Sequence, residues 1–166
     1  IFMQLRDYQI EADANIESCV LVGASPVLVL GTGLGKTAIM SYRTMAFFDK
    51  HYQAAVAHRK ELVGQIAMNY AKIDVPHRIV APPDVVADAR RAQLEILGYH
   101  RVDQKSKVGV CSMDTINARD LEHDFWARNV SISHDDECHH VLRDNAWGRA
   151  KSKFSGLKSS IGYTAT

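Results

Sequence analysis

Residues 30–37 read LGTGLGKT, and this stretch decides the fold class of the chain. It follows a short apolar run, residues 26–30, and precedes a segment with helical periodicity that begins near Lys36. Glycines allow a loop to curl so that successive backbone N–H groups point at phosphate oxygens, and the following helix adds the positive end of its dipole. A glycine-rich loop between a strand and a helix therefore predicts a phosphate-binding loop.

This loop assigns expected roles to single residues. Lys36 is expected to reach the β- and γ-phosphates of a nucleotide, and the Thr37 hydroxyl to bind Mg²⁺. The strict pattern has glycine at the position of Leu30, so the match is to the looser form TGxGKT. A glycine-rich turn followed by Lys-Thr by chance is the alternative, which the strand-to-helix context disfavours. The residues expected to surround the nucleotide are Gly31, Thr32, Gly33, Leu34, Gly35, Lys36 and Thr37.

Outward from the loop, short β-rich runs alternate with helical patterns along the whole chain. Strands are predicted at residues 26–30, 54–57, 78–81, 108–111, 130–135 and 161–164, and helices at 7–22, 36–49, 60–70, 82–97 and 114–127. In the first helix, Ile10, Ala14 and Cys19 are expected to face inward. The alternation predicts βαβ units, hence an α/β fold with a parallel sheet and helices on both of its faces.

The composition is that of one ordinary globular domain, with 166 residues, of which 46% are apolar and 23% charged. We therefore expect a single domain over residues 1–166. No apolar run reaches the ~18 residues needed to span a bilayer, so no membrane contact is expected. Three widely spaced cysteines favour reduced thiols and a cytoplasmic protein. The net charge of +1 means that any basic binding face must be local.

An acidic cluster, residues 135–140 (DDECHH), follows the fifth predicted strand. A phosphate loop works with a carboxylate at the end of a neighbouring strand, which holds Mg²⁺, and with a base that orients the attacking water. Asp136 and Glu137 offer both groups at the sheet edge where ligands of open α/β sheets bind. We therefore expect Asp136 to hold Mg²⁺ and Glu137 to act on water.

Two other interpretations of this cluster remain open. One is a zinc site formed by His134, Asp135, Cys138, His139 and His140. Neighbours in a strand point to opposite faces, and no CxxC or HExxH spacing is present, so zinc is disfavoured. The other is an acidic solvated turn. The basic residues of the stretch 149–158 favour a solvated charged face over a contact with phosphates.

The order of the motifs resembles the first RecA-like lobe of a superfamily 2 helicase or translocase of the DExH-box kind. Phage and restriction-type members are the most similar, and the resemblance covers nearly the whole chain. It is carried by residues 5–9 (LRDYQ), 30–37, 56–65 (VAHRKELVGQ), 110–115 (VCSMDT), 136–139 (DECH) and 162–166 (GYTAT). It implies a three-layer αβα P-loop NTPase fold with a mainly parallel central sheet, in a bacterial or phage-infected cytosol.

The resemblance also implies how the chain binds ATP with Mg²⁺. Gln9 is expected to read the adenine edge, with Arg6 and Tyr8 nearby. Lys36, Asp136, Glu137 and His139 are the expected catalytic residues. Among them, Glu137 is expected to polarise the water that attacks the γ-phosphate.

For the nucleic acid, the resemblance implies backbone phosphate contacts at the same sheet edge. The expected contact residues are His58, Arg59, Ser112 and Thr115. His139 is expected to couple the nucleotide site to the last motif, where Thr164 and Thr166 are the coupling residues. The partner is expected to be DNA or RNA, with DNA favoured.

Enzymes of this kind place the nucleotide between two lobes, and the second lobe supplies arginine fingers worth ~10³–10⁵ in rate. The 166 residues contain only the first lobe. The missing lobe is therefore an expected partner. We expect this chain alone to bind nucleotide modestly, to hydrolyse it very slowly and to unwind nothing.

The strand before the acidic cluster is unusual for this family, because it contains His134 and Asp135 where apolar residues are common. An unpaired polar group on a central strand costs ~1–3 kcal/mol. Either the strand is wetter than usual or the site is partly degenerate. The second case favours the alternative function, a non-motor nucleotide-binding or scaffold module. An unrelated P-loop kinase or GTPase is disfavoured by the DECH stretch and by the absence of an NKxD-type motif.

Overall fold

A computed structural model of the chain describes residues 4–138 and 145–165. Its sheet has six strands: β1 (Val27–Val29), β2 (Tyr52–Ala57), β3 (Arg78–Val80), β4 (Val108–Ser112), β5 (Val130–Asp136) and β6 (Ser159–Thr164). They are ordered β1-β6-β5-β2-β4-β3, and every neighbouring pair is parallel. The predicted parallel α/β sheet is thereby confirmed.

Helices cover both faces of this sheet. They are α1 (Asp7–Leu21), α2 (Lys36–Ala46), α3 (Lys60–Lys72), α4 (Pro83–Leu97), α5 (Met113–Ala118), α6 (Phe125–Asn129) and α7 (Asn145–Ser152). Buried side chains of α1 to α4 form one apolar cluster with the sheet, and those of α5 to α7 form another. This confirms the three-layer αβα fold. Within the described ranges, no helix is both long enough and apolar enough to cross a bilayer.

The prediction of one continuous helix at 114–127 is wrong. The chain forms two short helices there, α5 and α6, because Arg119 leaves the helical conformation and becomes extended (φ −96°, ψ 145°). The second helix has its own start, since the Asp124 carboxylate accepts a hydrogen bond from Ala127 N at 2.8 Å. Helix α7, which packs on α5, was not predicted at all.

The inward face of α1 also differs from the prediction. Ile10 is 54% exposed, and the helix buries Gln9, Asp13 and Ile16 instead. Two of these three residues are polar, so a search for apolar periodicity misses the face. Asp13 is buried because Arg43 of α2 pairs with it, with Nε 3.0 Å from Oδ1. Of the other two predicted inward residues, Ala14 is exposed and Cys19 is half-buried.

Because all strands are parallel, their carboxyl ends lie along one edge of the sheet. The phosphate loop leaves β1 at this edge, and Thr164 and Asp136 end β6 and β5. His58 follows β2, and Ser112 ends β4. The strand order therefore places the candidate nucleotide residues at one end of the edge and the candidate nucleic-acid residues towards the other.

Candidate nucleotide site

The phosphate loop connects β1 to α2 and depends on two left-handed glycines. Gly33 and Gly35 have φ of 81° and 82°, a region that side chains disfavour. Gly35 immediately precedes α2, and a Cβ there would collide with the Gln9 amide. The start of the loop is tied to β6, since Leu30 N donates to Thr164 O at 3.0 Å. The first turn of α2 therefore opens toward the sheet edge.

Lys36 brings the loop and the end of β5 together. Its Nζ contacts the Glu137 carboxylate directly and lies 3.6 Å from Asp136 Oδ1. Burial raises the pKa of Asp136, and the positive charge of Lys36 opposes that rise. Asp136 Oδ1 also accepts a hydrogen bond from Glu137 N at 3.0 Å, and Glu137 itself has a left-handed φ of 53°. The two predicted carboxylates thus lie beside the predicted phosphate-binding lysine.

A cleft of about 340 Å³ lies above these groups. It is lined by Gly31, Thr32, Gly33, Gly35, Lys36, Thr37, Glu137 and Ala165. The loop supplies backbone N–H groups and a lysine, which suit phosphate oxygens. The Thr37 hydroxyl and the nearby carboxylates are oxygen ligands, which suit Mg²⁺. The residues present therefore fit a magnesium-bound nucleotide.

The N-terminal end of α1 supports the loop from the side. Tyr8 OH and Gln9 Nε2 both donate to Leu34 O, at 3.0 and 3.1 Å. Gln9 Oε1 accepts from Arg6 N at 2.8 Å, which holds the start of the helix. The structure therefore brings Tyr8 and Gln9 against the phosphate loop, whereas the Arg6 side chain is exposed.

The predicted nucleic-acid residues lie on two adjacent strands. Ala57 of β2 pairs with Ser112 of β4, so His58 and Arg59 sit beside the start of α5. Arg59 is exposed, His58 and Thr115 are half-buried, and Ser112 is only 5% exposed. These four residues follow adjacent strands, and β5 and β6 lie between them and β1, from which the phosphate loop leaves.

The predicted coupling residues are only partly covered by the structure. Thr164 is buried at the end of β6, where its carbonyl holds the phosphate loop. His139 and Thr166 lie outside the described residues. His140, part of the zinc alternative, lies outside them as well.

His134 is buried in a polar cluster on the face of the sheet that α2 and α3 cover. Its Nε2 lies 2.7 Å from Gln53 Oε1, and its Nδ1 lies 3.0 Å from Tyr163 OH. Thr44 of α2 contacts the same ring and also Tyr70 OH. Burial lowers the pKa of His134 to about 3, so the ring is neutral. Neither Gln53 nor Tyr163 was singled out from the sequence, because each reads as an ordinary strand residue.

Asp135 points to the opposite face of β5. It is 1% exposed, and its Oδ2 pairs with Lys151 Nζ of α7 at 2.5 Å. Burial raises the pKa of Asp135, and Lys151 opposes that rise. The polar strand is therefore buried rather than wet, and both polar side chains have partners. Lys151 is accordingly not part of a solvated face, and His134 and Asp135 lie on different sides of the sheet.

A parallel sheet with a glycine-rich loop, a lysine at the start of α2 and carboxylates at the end of β5 defines a P-loop NTPase with the RecA-like fold. The family profile described as "Type III restriction enzyme, res subunit" (ResIII) matches residues 2–166. The chain belongs to this family. No curated protein sequence matches it.

Solved structures of two helicases and of a restriction-modification enzyme have a similar fold. The UvsW helicase from bacteriophage T4 aligns with a TM-score of 0.67 at 14% identity, over 99% of this chain and 53% of that one. The Hef helicase domain of Pyrococcus furiosus aligns with 0.68 at 22% identity, over 97% and 33%. The type ISP restriction-modification enzyme LlaGI, solved with a DNA substrate mimic, aligns with 0.67 at 16% identity, over 99% and 18%.

The family match confirms the predicted resemblance to restriction-type proteins. The likenesses to solved structures confirm the RecA-like fold. The chain spans from about one-fifth to one-half of the length of those three structures.

Proposed function

We propose that this chain is the ATP-binding lobe of a DExH-type, nucleic-acid-dependent ATPase, which couples ATP hydrolysis to movement on DNA or RNA. One observation carries the proposal: Lys36 of the phosphate loop contacts the carboxylates of Asp136 and Glu137 across the sheet edge. Loop, lysine and two carboxylates in one cleft are the groups that phosphoryl transfer to water requires.

Each group has one task in this proposal. The curled backbone of the loop and Lys36 bind the phosphates, while Thr37 and Asp136 hold Mg²⁺. The metal, when bound, neutralises charge on the phosphates. Glu137 orients and deprotonates the attacking water. Tyr8 and Gln9 support the loop through Leu34 O, and the remaining hydrogen-bonding capacity of the Gln9 amide recognises adenine.

Nucleic acid would lie along the carboxyl edge of β2 and β4. His58, Arg59 and Thr115 would contact its backbone, and such contacts position a strand without reading its sequence. DNA is favoured over RNA because a protein of the same fold, LlaGI, was solved with a DNA substrate mimic. Ser112 is buried at the end of β4, so it would not contact the nucleic acid directly. It would act by positioning the start of α5, which it directly precedes.

A second lobe would complete the enzyme. Our proposal assigns to it the arginines that stabilise the charge of the transition state. Support comes from the part of the UvsW, Hef and LlaGI structures that this chain spans, 18% to 53% of their lengths. The alternative, a non-motor module, was suggested by the polar residues before Asp136. Since the buried side chains of His134 and Asp135 both have polar partners, their presence no longer indicates a degenerate site.

Calorimetric titration with Mg-ADP and Mg-ATP tests the nucleotide site. We expect micromolar to millimolar binding that weakens at least tenfold, about 1.4 kcal/mol, in Lys36→Ala and in Asp136→Ala. Lys50→Ala is the matched control, because it removes an exposed lysine just before β2, at the other edge of the sheet. Wild-type binding that persists in both site variants would contradict the proposal.

A further inference from the structure

Helix α7 contacts both β5, which ends in the proposed Mg²⁺-binding Asp136, and α5, which carries the proposed nucleic-acid contact Thr115. Lys151 of α7 pairs with Asp135 of β5. In addition, Asn117 Nδ2 of α5 donates to Ala146 O of α7 at 3.0 Å. Lys153 Nζ adds a bond to Arg119 O, at the end of α5, at 3.0 Å. The helix therefore joins the strand that carries the carboxylates to the helix that carries Thr115.

The bond to β5 is placed next to the nucleotide site. Asp135 directly precedes Asp136, whose carboxylate lies 3.6 Å from Lys36 Nζ. Asp135 is almost completely buried, and Lys151 compensates its charge. A buried carboxylate that loses its counter-ion is strongly unfavourable, so α7 has to follow any shift of this part of β5.

The bond to α5 is backed by close packing. Trp147 is fully buried, and it belongs to one apolar cluster with Met113 and Ile116 of α5. Trp147 and Lys151 are four residues apart, so they lie on the same face of α7. Close-packed interiors transmit small displacements instead of absorbing them. A movement at Asp135 should therefore reach α5 through α7.

We propose that Lys151 is a positioning residue that couples nucleotide occupancy of the phosphate loop to the position of α5, and so to the nucleic-acid edge. This inference rests on the proposed function. In the structure, Lys36 is engaged by Asp136 and Glu137. Phosphates and Mg²⁺ compete for these same groups, so occupancy changes the forces on the end of β5. The ion pair between Asp135 and Lys151 passes the change to α7.

Fluorine NMR on protein labelled with 5-fluorotryptophan tests the inference, because the chain has only two tryptophans. Trp147 reports on α7. Trp126 serves as an internal reference, because its Nε1 bonds to Lys107 O, just before the start of β4 and at the opposite end of the strands from the nucleotide site. Saturation with Mg-ADP is expected to shift the Trp147 resonance more than that of Trp126, which belongs to the same apolar cluster but makes no ion pair with β5.

Lys151→Met is expected to abolish the Trp147 shift while Mg-ADP affinity changes by less than about threefold. The double variant Asp135→Asn with Lys151→Met removes both charges and guards against misfolding of the single variant. Arg149→Met is the matched control, since it removes an exposed positive charge from the same helix, and it should retain the shift.

A second measurement follows the coupling to the nucleic-acid edge. A short single-stranded DNA should change the affinity for Mg-ADP by the same factor by which Mg-ADP changes the affinity for DNA. In Lys151→Met this factor should fall to about one. A purely structural role of Lys151 would leave it unchanged.

Two outcomes would overturn the inference. One is an unmoved Trp147 resonance in the wild-type protein at saturating Mg-ADP, whatever the variants do. The other is a Trp147 shift that persists in both Lys151 variants. Failure of the proposed function would look different, because calorimetry would then detect no Mg-ADP binding to the wild-type chain.

Discussion

At the scale of single residues, two buried histidines carry their proton on different ring nitrogens. His77 Nδ1 lies 2.9 Å from Val75 O, and its Nε2 lies 3.2 Å from Gln93 Nε2. The first nitrogen must therefore carry the proton, and the second accepts. In His134 the roles are reversed, because Gln53 Oε1 can only accept from Nε2. Burial lowers the pKa of His77 to about 4.

This pKa predicts an acid-dependent loss of stability. An unfolded histidine titrates near pH 6.5, so between about pH 6.5 and 4 the unfolded chain binds more protons than the folded one. The contribution of His77 to the free energy of unfolding is complete above pH 6.5, and it is lost as the pH falls from about 6.5 to 4. The difference in unfolding free energy between wild type and His77→Asn should shrink by up to about 3 kcal/mol between pH 7 and 4.

Urea unfolding at several pH values measures this difference. Carboxyl groups with a raised pKa, such as those of Asp13 and Asp136, change the stability with pH in the opposite direction. Their effect is the same in wild type and variant, so it cancels in the difference between the two proteins. His123→Asn is the control, because this ring is exposed. A difference for His77→Asn that does not vary with pH would contradict a buried neutral ring.

At the scale of secondary structure elements, two glycines predict opposite effects of the same substitution. Gly64 lies inside α3, and a Cβ there would meet no atom within 4 Å. Gly109 lies on β4, where a Cβ would overlap the Trp126 ring and come within 3.2 Å of Arg78 Cγ. Gly64→Ala should stabilise the protein by about 0.5–1 kcal/mol, and Gly109→Ala should destabilise it by about 1–3 kcal/mol.

Thermal and denaturant unfolding of both variants checks this pair, and each serves as the control of the other. Equal changes in unfolding free energy would contradict the prediction, because they would mean that neither the open space at Gly64 nor the contact of Gly109 with Trp126 determines the stability. The Trp126 ring, for which Gly109 leaves room, also packs edge-on against Phe154 in the apolar cluster of α5 to α7.

At the scale of the whole molecule, the sheet order leaves β1 at an edge. Val27 and Val29 of this strand are 61% and 59% exposed. An edge strand with exposed apolar side chains favours association between copies. We expect this chain to self-associate at high concentration. The double variant Val27→Thr with Val29→Thr should reduce this, because threonine keeps the branched shape and adds a hydroxyl.

Light scattering over a concentration series measures the association. Ile96→Thr is the control, since Ile96 is 67% exposed but lies on α4, away from β1. If the two variants behave alike, the edge of the sheet is not responsible.

The sequence was sufficient wherever the signal is local. The glycine loop, the start of α2 at Lys36 and the end of α4 at Gly98 were predicted from neighbouring residues alone. Gly98 indeed has a left-handed φ of 78°. Asp136 and Glu137 were also located, because an acidic pair after a strand is a contiguous pattern. The break between α5 and α6 was missed, since it depends on a single extended residue, Arg119.

By itself, the sequence determined the parallel α/β class, because this class depends on the period of helices and strands. It also predicted that Lys36, Asp136 and Glu137 lie together at the sheet edge, as they do in the structure. Only the tertiary structure decided whether the polar side chains of β5 have hydrogen-bonding and ion-pair partners. His134 meets Gln53 from a distance of 81 residues in sequence. Asp135 meets Lys151 of a helix that was not predicted. Whether a buried polar group is a defect or a support depends on its partner, and the fold alone brings the partner within reach.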